Sequence, residues 1–480
     1  EAGMADGSML GLVATNALEL GIDIGALDAT LHIGFPGTKS SFLQQAGRAG
    51  RGTRDALSVL IAMDCPIDQF LVNHPDKLFS RSLRLAVADP TNRKQLQQHL
   101  VAAAWEQPLD PSRDRLYFGM KFVEEARQLE ERGQLQRRKV KFKGETSSNS
   151  ADSYVENKEC MYRWVCETET TPARAMSLRD VSEESVKLVE VPSGRPLESM
   201  DADNAPFKLY DGAVYMHQGR SFVVQHLDLE RGLCTAKRQR VNYYTEPRHH
   251  TVVKVLGVDD KRALMCSSSP VKLESEPKRV MKHVPVLVAY GGVSISHHFY
   301  GYRRLSTVDN KLLDVVQMNH LPAVEYTSRA IWMRLPKQIK DALQREAAPG
   351  PEWRDICGAL HAVEHVLISL CPLVVACDAL DLQGQCARRD SDPCRLYVLL
   401  YERQKGGIGV ISQIMNRLPE LVRMGKSRIE GCPCKYGCPT CVHHPRCLSH
   451  NEGLDKAMAL SLMNMMLEHG GEALEANIAS

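Results

Sequence analysis

The chain of 480 residues is long enough for about three domains at roughly 150 residues each. Hydrophobic residues make up 43% and charged residues 25%, which excludes a mostly disordered or collagen-like chain and supplies enough apolar material for packed cores. Sixty Lys and Arg against 58 Asp and Glu leave a net charge of +2, so bulk charge points to no polyanionic partner and any nucleic-acid surface must be local.

In chain order, residues 1–66 read as α/β, with strands predicted over 10–14, 29–34 and 56–63 and a helix over 41–49. That alternation predicts a parallel sheet with helices on its faces. Residues 67–185 turn helical, with apolar residues three and four apart over 94–105 and 120–132. A basic run follows: Arg137, Arg138, Lys139, Lys141 and Lys143 alternate with Val140 and Phe142, the pattern of a phosphate-facing strand or, equally, of a solvated loop. From 186 to 335 the chain changes to short β-branched and aromatic runs at 212–217, 221–225 and 251–255. Over 336–480 helical spacing returns, a strand is predicted over 396–401, a glycine turn holds Gly406, Gly407 and Gly409, and a last helix runs over 454–468. The most apolar long stretch, 358–380, is broken by His361, Glu364, His365 and Asp378, so no membrane span of roughly 18 or more apolar residues is expected.

Ten of the 15 cysteines are scattered and five crowd into 432–447, which fits a reducing compartment and a metal site better than a disulfide framework. The expected setting is intracellular: nuclear in a eukaryote, cytoplasmic otherwise. Thiolates spaced C-x₃-C-x₂-C-x₅-C can converge on one Zn²⁺, with Gly437 and Pro439 in the turn between ligands. Cys434, Cys438, Cys441 and Cys447 are the expected ligands, with Cys432 as a substitute for Cys434 and His443 and His444 in reserve. Four thiolates leave no open position, so the zinc is expected to be structural. A separate pattern, His361-x-x-Glu364-His365, matches inverted zinc metalloproteases, although no third ligand is evident downstream.

The segments Ala14-Thr15-Asn16-Ala17-Leu18-Glu19-Leu20-Gly21-Ile22-Asp23-Ile24-Gly25 and Gln44-Gln45-Ala46-Gly47-Arg48-Ala49-Gly50-Arg51-Gly52 resemble motifs V and VI of superfamily 2 helicases, in the right order. The resemblance implies that Arg51 is an arginine finger and Arg48 its phosphate-binding neighbour, with Gln44 beside the nucleotide and the attacking water. A planar, permanently charged guanidinium suits a γ-phosphate whose charge spreads during transfer. Spaced three apart on a short helix, the two arginines are expected on one face. Thr15 would give its hydroxyl to a phosphate of the tracked strand, Asp23 would accept from the ATP ribose, and Gly21 would let the backbone turn between them.

Downstream, the runs around His74-Pro75, Asp89-Pro90-Thr91-Asn92, Trp105-Glu106-Gln107-Pro108, Tyr243-Tyr244-Thr245, Gly301-Tyr302-Arg303-Arg304 and the cysteine cluster are similar to DNA helicases of the mitomycin-repair-factor type. This implies an ATP-dependent 3′-to-5′ DNA translocase of DNA repair, acting on a single strand or 3′-tailed duplex. The implied fold is a RecA-like α/β remnant, the C-terminal part of a second RecA-like domain (1–66), a linker and winged-helix-like domain (67–185), a β-rich module (186–335) and an α/β zinc-binding domain (336–480), together a multidomain α+β chain. Glu402 stands where Asp is expected, and 141–173 is longer and more polar than usual. No G-x-x-x-x-G-K-[ST] loop is present, since Gly425-Lys426-Ser427 is preceded by Glu420 where Gly is needed, and no acidic Asp-Glu box occurs. ATP and its Mg²⁺ are therefore expected to be shared with a first RecA-like domain upstream of Glu1, and the chain alone is expected to be inactive. The alternative of another class is a zinc-stapled nucleic-acid-binding protein with a vestigial RecA fold and no ATPase.

Overall fold

A computed structural model describes residues 8–20, 27–50, 55–79, 87, 89, 92–139, 162–176, 185–266, 284–318, 323–346, 356–386 and 396–467. The chain divides into two compact units, neither continuous in sequence. One comprises Glu1–Ala88, Val253–Ile295 and Thr327–Ser480; the other comprises Asp89–Val252 and Ser296–Tyr326. The β-rich stretch 186–335 is thus split between units.

In the first unit, strands Ala29–Ile33 and Leu57–Ile61 pair in parallel across the helix Lys39–Ala46, the expected α/β alternation. Thr38 caps that helix by accepting from the Ser41 N–H at 3.1 Å. Phe42, Leu71 and Leu78 are buried beneath the strand pair, and Asp68 ties the loops together by accepting from the Phe35 and Met63 N–H groups. Two expectations fail here. Residues 10–14 form no strand: Leu10 and Val13 are fully exposed and pair with no strand among the described residues, and apolar residues without a ladder partner do not make a strand. The helix ends at Ala46, where Gly47 caps it, so Arg48 lies in the turn beyond rather than on the helix predicted over 41–49, and Arg51 lies outside the described residues.

The larger core of this unit surrounds the helix Ile356–Leu370, whose side chains are almost all buried. Its 18-residue stretch to Leu373 has a mean hydropathy of 1.6, sufficient by composition to cross a membrane, but 83% of it is buried inside the protein, as befits a core helix. Against it pack helices Val410–Glu430 and Lys456–Leu467, residues 327–334 of the strand Val324–Arg334, and the antiparallel strands Tyr397–Glu402 and Leu382–Cys386. Closeness is enforced by Gly425, where an added Cβ would lie 3.0 Å from Met463 and Val366, and by Gly384, discussed below.

In the second unit, helices Arg93–Glu106 and Phe122–Glu131 bury Leu96, Leu100, Ala104, Phe122, Ala126 and Leu129 against Trp164. Asn92 accepts from Lys94 and Gln95 N–H groups, so the first helix starts on a side-chain cap. Strands Gln136–Lys139 and Tyr162–Val165 pair antiparallel beside them, giving helices plus a hairpin, the elements of a winged helix. Separately, five strands are ordered Arg195–Asp201, Ser185–Val191, Leu233–Arg238, Arg220–Asp228 and Val214–His217. Their buried face carries Val186, Leu188, Cys234 and Ala236, with Tyr210 and Tyr302 packed on it. Tyr302 is therefore a core residue.

Candidate functional site

The two helicase-like segments meet through Glu19. Its backbone carbonyl accepts from Nε of Arg48 at 3.1 Å and from Nη2, while its carboxylate accepts from Gln45 Nε2 at 3.1 Å and from the Ser41 hydroxyl. Arg48 thus fastens motif V to motif VI. Thr15 is exposed and its Oγ1 accepts from the Ala17 N–H at 3.4 Å, which leaves the hydroxyl proton able to donate outward. Gln44 is exposed at the end of the helix. Gly21, Asp23 and Arg51 lie outside the described residues.

The basic run is partly engaged. Arg137 donates to Glu130 at 2.9 Å and lies over the Trp164 ring, and Arg138 pairs with Glu167 at 2.5 Å. Such exposed pairs contribute roughly 0–1 kcal/mol and are readily exchanged for a phosphate. The Lys139 backbone closes the hairpin opposite Tyr162, and residues 140–143 lie outside the described residues.

The glycine turn at 405–409 has its amides occupied. Buried Glu402 accepts from the N–H groups of Ile408, of Gly409 at 3.3 Å and of Ile411 at 2.6 Å, so a carboxylate from the preceding strand, and not a phosphate, caps the Val410–Glu430 helix. Gly407, at φ +83°, is required there: an added Cβ would lie 2.7 Å from Glu402 Oε2.

The cysteine loop begins where that helix ends at Gly431. The sulfurs of Cys432, Cys434, Cys438 and Cys441 all lie within 4.8 Å of one another. Three separations are 3.6 Å for Cys432–Cys438, 3.5 Å for Cys434–Cys441 and 3.7 Å for Cys438–Cys441. Four thiolates about 2.3 Å from a central zinc sit about 3.8 Å apart along the edges of a tetrahedron, so the cage fits a zinc ion closely. Cys447 is not part of it. Its Sγ lies 3.3 Å from His361 Nε2, and Cys432 takes the fourth corner. The spacing that closes is therefore C-x-C-x₃-C-x₂-C.

Thr440 and Lys456 complete the surroundings. The Thr440 hydroxyl lies 3.3 Å from Cys432 Sγ and 2.9 Å from Cys438 Sγ. Burial acts to raise the Cys432 thiol, but the hydrogen bonds from Thr440 and the neighbouring cysteines win and bring it down to about 6. Lys456 is buried; its Nζ donates to the Cys432 and Cys434 carbonyls at 2.6 Å each and sits 3.5 Å from Cys434 Sγ. Four thiolates around Zn²⁺ carry net negative charge, which this ammonium offsets. Nothing in the local spacing marks Lys456 in advance.

His361 and His365 lie one turn apart on the core helix. Burial, then the neighbouring His361, pushes His365 down to about 3, and its Nδ1 lies 2.9 Å from the Val442 carbonyl. Glu364 is turned towards Gly384, where an added Cβ would lie 2.7 Å from its Oε1. The protease arrangement is therefore not assembled.

Comparison with known proteins agrees with this geometry. A helicase conserved C-terminal domain model matches residues 3–53, the winged helix domain of ATP-dependent helicase HRQ1 matches 88–181, and the MrfA Zn-binding domain matches 363–442. The last match includes all four clustered cysteines and stops before Cys447. The chain is 31% identical to ATP-dependent helicase hrq1 of Schizosaccharomyces pombe, over 97% of the chain and 41% of that protein. It is 29% identical to the uncharacterized ATP-dependent helicase YprA of Bacillus subtilis, over 92% of the chain and 52% of that protein. The crystal structure of the DUF1998 helicase MrfA bound to DNA aligns with a TM-score of 0.55 at 27% identity, over 97% of this chain and 55% of that one. The chain thus spans about half the length of the relatives it matches or somewhat less. From a RecA-type α/β segment carrying motifs V and VI, through a winged helix, to a four-cysteine cage, the chain is similar to the superfamily 2 DNA helicases of the MrfA and Hrq1 type.

Proposed function

We propose that this chain is the part of an ATP-dependent, 3′-to-5′ DNA translocase of DNA repair that carries motifs V and VI, a winged helix and a structural zinc module. The observation that carries the reading is the junction at Glu19. Because Arg48 and Gln45 hold the motif V segment, a movement of motif VI towards a nucleotide is transmitted to Thr15 and so to the phosphates of a bound strand. Arg51 would stabilise charge on the γ-phosphate, Gln44 would orient water, and Gly21 and Asp23 would shape the ribose side. ATP with its Mg²⁺ would be held jointly with a first RecA-like domain that supplies a phosphate loop and acidic box, and this chain alone would not turn ATP over. Arg137, Arg138 and Lys139 would add sequence-independent phosphate contacts. The reduced thiolates of the cage suit an intracellular setting.

The test is Arg51→Ala in the full-length protein. ATP turnover should fall by a factor on the order of 10³ or more while affinity for single-stranded DNA is retained. Turnover close to wild type on correctly folded protein would overturn the reading and favour a zinc-stapled DNA-binding protein without ATPase activity.

A further inference from the structure

We propose a second metal site, formed by His361, His365 and Cys447, that takes a divalent zinc-like ion and fastens the loop after the four-cysteine cage to the core helix. A ring nitrogen of each histidine and the Cys447 sulfur lie within 4.8 Å of one another. None of the three belongs to the cage.

Histidines four residues apart share one helical face, a common way for a helix to present two metal ligands. With Zn–N near 2.0–2.1 Å and Zn–S near 2.3 Å, tetrahedral ligands put nitrogen and sulfur about 3.5 Å apart. Cys447 Sγ and His361 Nε2 are separated by 3.3 Å, so a small outward adjustment admits the ion. The tautomer of His365 is also set. A carbonyl can only accept, so His365 Nδ1 donates to Val442 and the lone pair resides on Nε2, the backbone-oriented arrangement typical of metal-bound histidine. His444 is near, with ring centroids 5.5 Å from His365, but its Nδ1 accepts from the Arg446 N–H, which puts the proton of its neutral ring on Nε2 and removes it as a ligand. The donor set is two imidazoles and one thiolate, borderline-soft ligands that select zinc or a similar transition ion over Mg²⁺ or Ca²⁺. On binding, the Cys447 thiol gives its proton to solvent and the S–Zn bond replaces the S–H bond. Since Glu364 faces Gly384, the site lacks the general base of a protease, and its effect is to tie Cys447 to the core helix.

The test uses the full-length protein, dialysed against buffered free zinc, with metal counted by mass spectrometry. Wild type should hold about two zinc ions per chain, and Cys447→Ser and His361→Asn should each hold about one. Cys438→Ser with Cys441→Ser should lose the other ion, so the two sites fail independently. Cobalt substitution of wild type provides a readout without mutation: titration should add two spectroscopically distinct tetrahedral species, the second with weaker thiolate charge-transfer absorption. About one zinc per chain in wild type, or a single cobalt species, would overturn the site and leave the cage standing. Two zinc ions retained by Cys447→Ser would likewise overturn it.

Discussion

Lys456 illustrates how one buried side chain can govern a metal cage without touching the metal. Its ammonium is satisfied by two cysteine carbonyls and a sulfur, so removing it strips the charge partner of the thiolates and two hydrogen bonds that fix the ligand backbone. Lys456→Met is expected to weaken zinc affinity by about 10- to 100-fold, as measured by chelator competition, with the secondary structure of the zinc-loaded protein unchanged. Affinity equal to wild type would show that the ammonium serves the fold alone. The same scale explains the ligand exchange between Cys432 and Cys447. Both fit a loop of zinc spacing, and the choice between them is made by His361, which lies far away in sequence and holds Cys447 on the helix.

Among elements, the helix Val410–Glu430 depends on an acid from the preceding strand. Glu402→Gln would replace one acceptor oxygen by an amide facing N–H donors, at a cost of about 2 kcal/mol. Amide hydrogen exchange at 408–412 should then accelerate by roughly 30-fold relative to the rest of the helix, and unchanged exchange would show the cap to be idle. Elements carrying their own signals were legible in the sequence. Helix Arg93–Glu106 has its Asn92 cap and apolar spacing, Tyr397–Glu402 its apolar run, and the parallel strand pair its α/β rhythm. Those whose state depends on distant partners were not. Residues 10–14 have strand composition but no ladder partner among the described residues, and the cap at Glu402 turns a phosphate-like glycine nest into a helix start. Of the candidate site, Cys434, Cys438 and Cys441 were recoverable from spacing and Cys432 was foreseen only as a substitute for Cys434, whereas Lys456 and the Glu19 junction are tertiary facts.

For the whole molecule, the two units make loss of metal a local event. Zinc binding in small cysteine sites is worth on the order of 10 kcal/mol, and the cage loop contributes few buried apolar residues of its own. Cys438→Ser with Cys441→Ser should therefore create protease-sensitive sites over 431–455 and loosen the Lys456–Leu467 helix. The strands of 185–266 that belong to the other unit should stay protected, as mapped by limited proteolysis and mass spectrometry. Cleavage throughout 185–252 would contradict the local character of the metal's effect.

The discontinuity of the first unit also sets a timetable for synthesis. Its core draws Phe70 from near the start, Val286 and Ile331 from the middle, and Leu462 and Met463 from the last described helix, so it cannot close until residue 467 has left the ribosome. The second unit ends at Tyr326 and can be complete much earlier. At about 5–20 residues per second the difference is on the order of ten seconds, during which the apolar faces of the early strands and helices await their cover. Lys456–Leu467, the last of the described helices, is thus the one that closes this core and ends the exposure of its apolar faces to aggregation and chaperones.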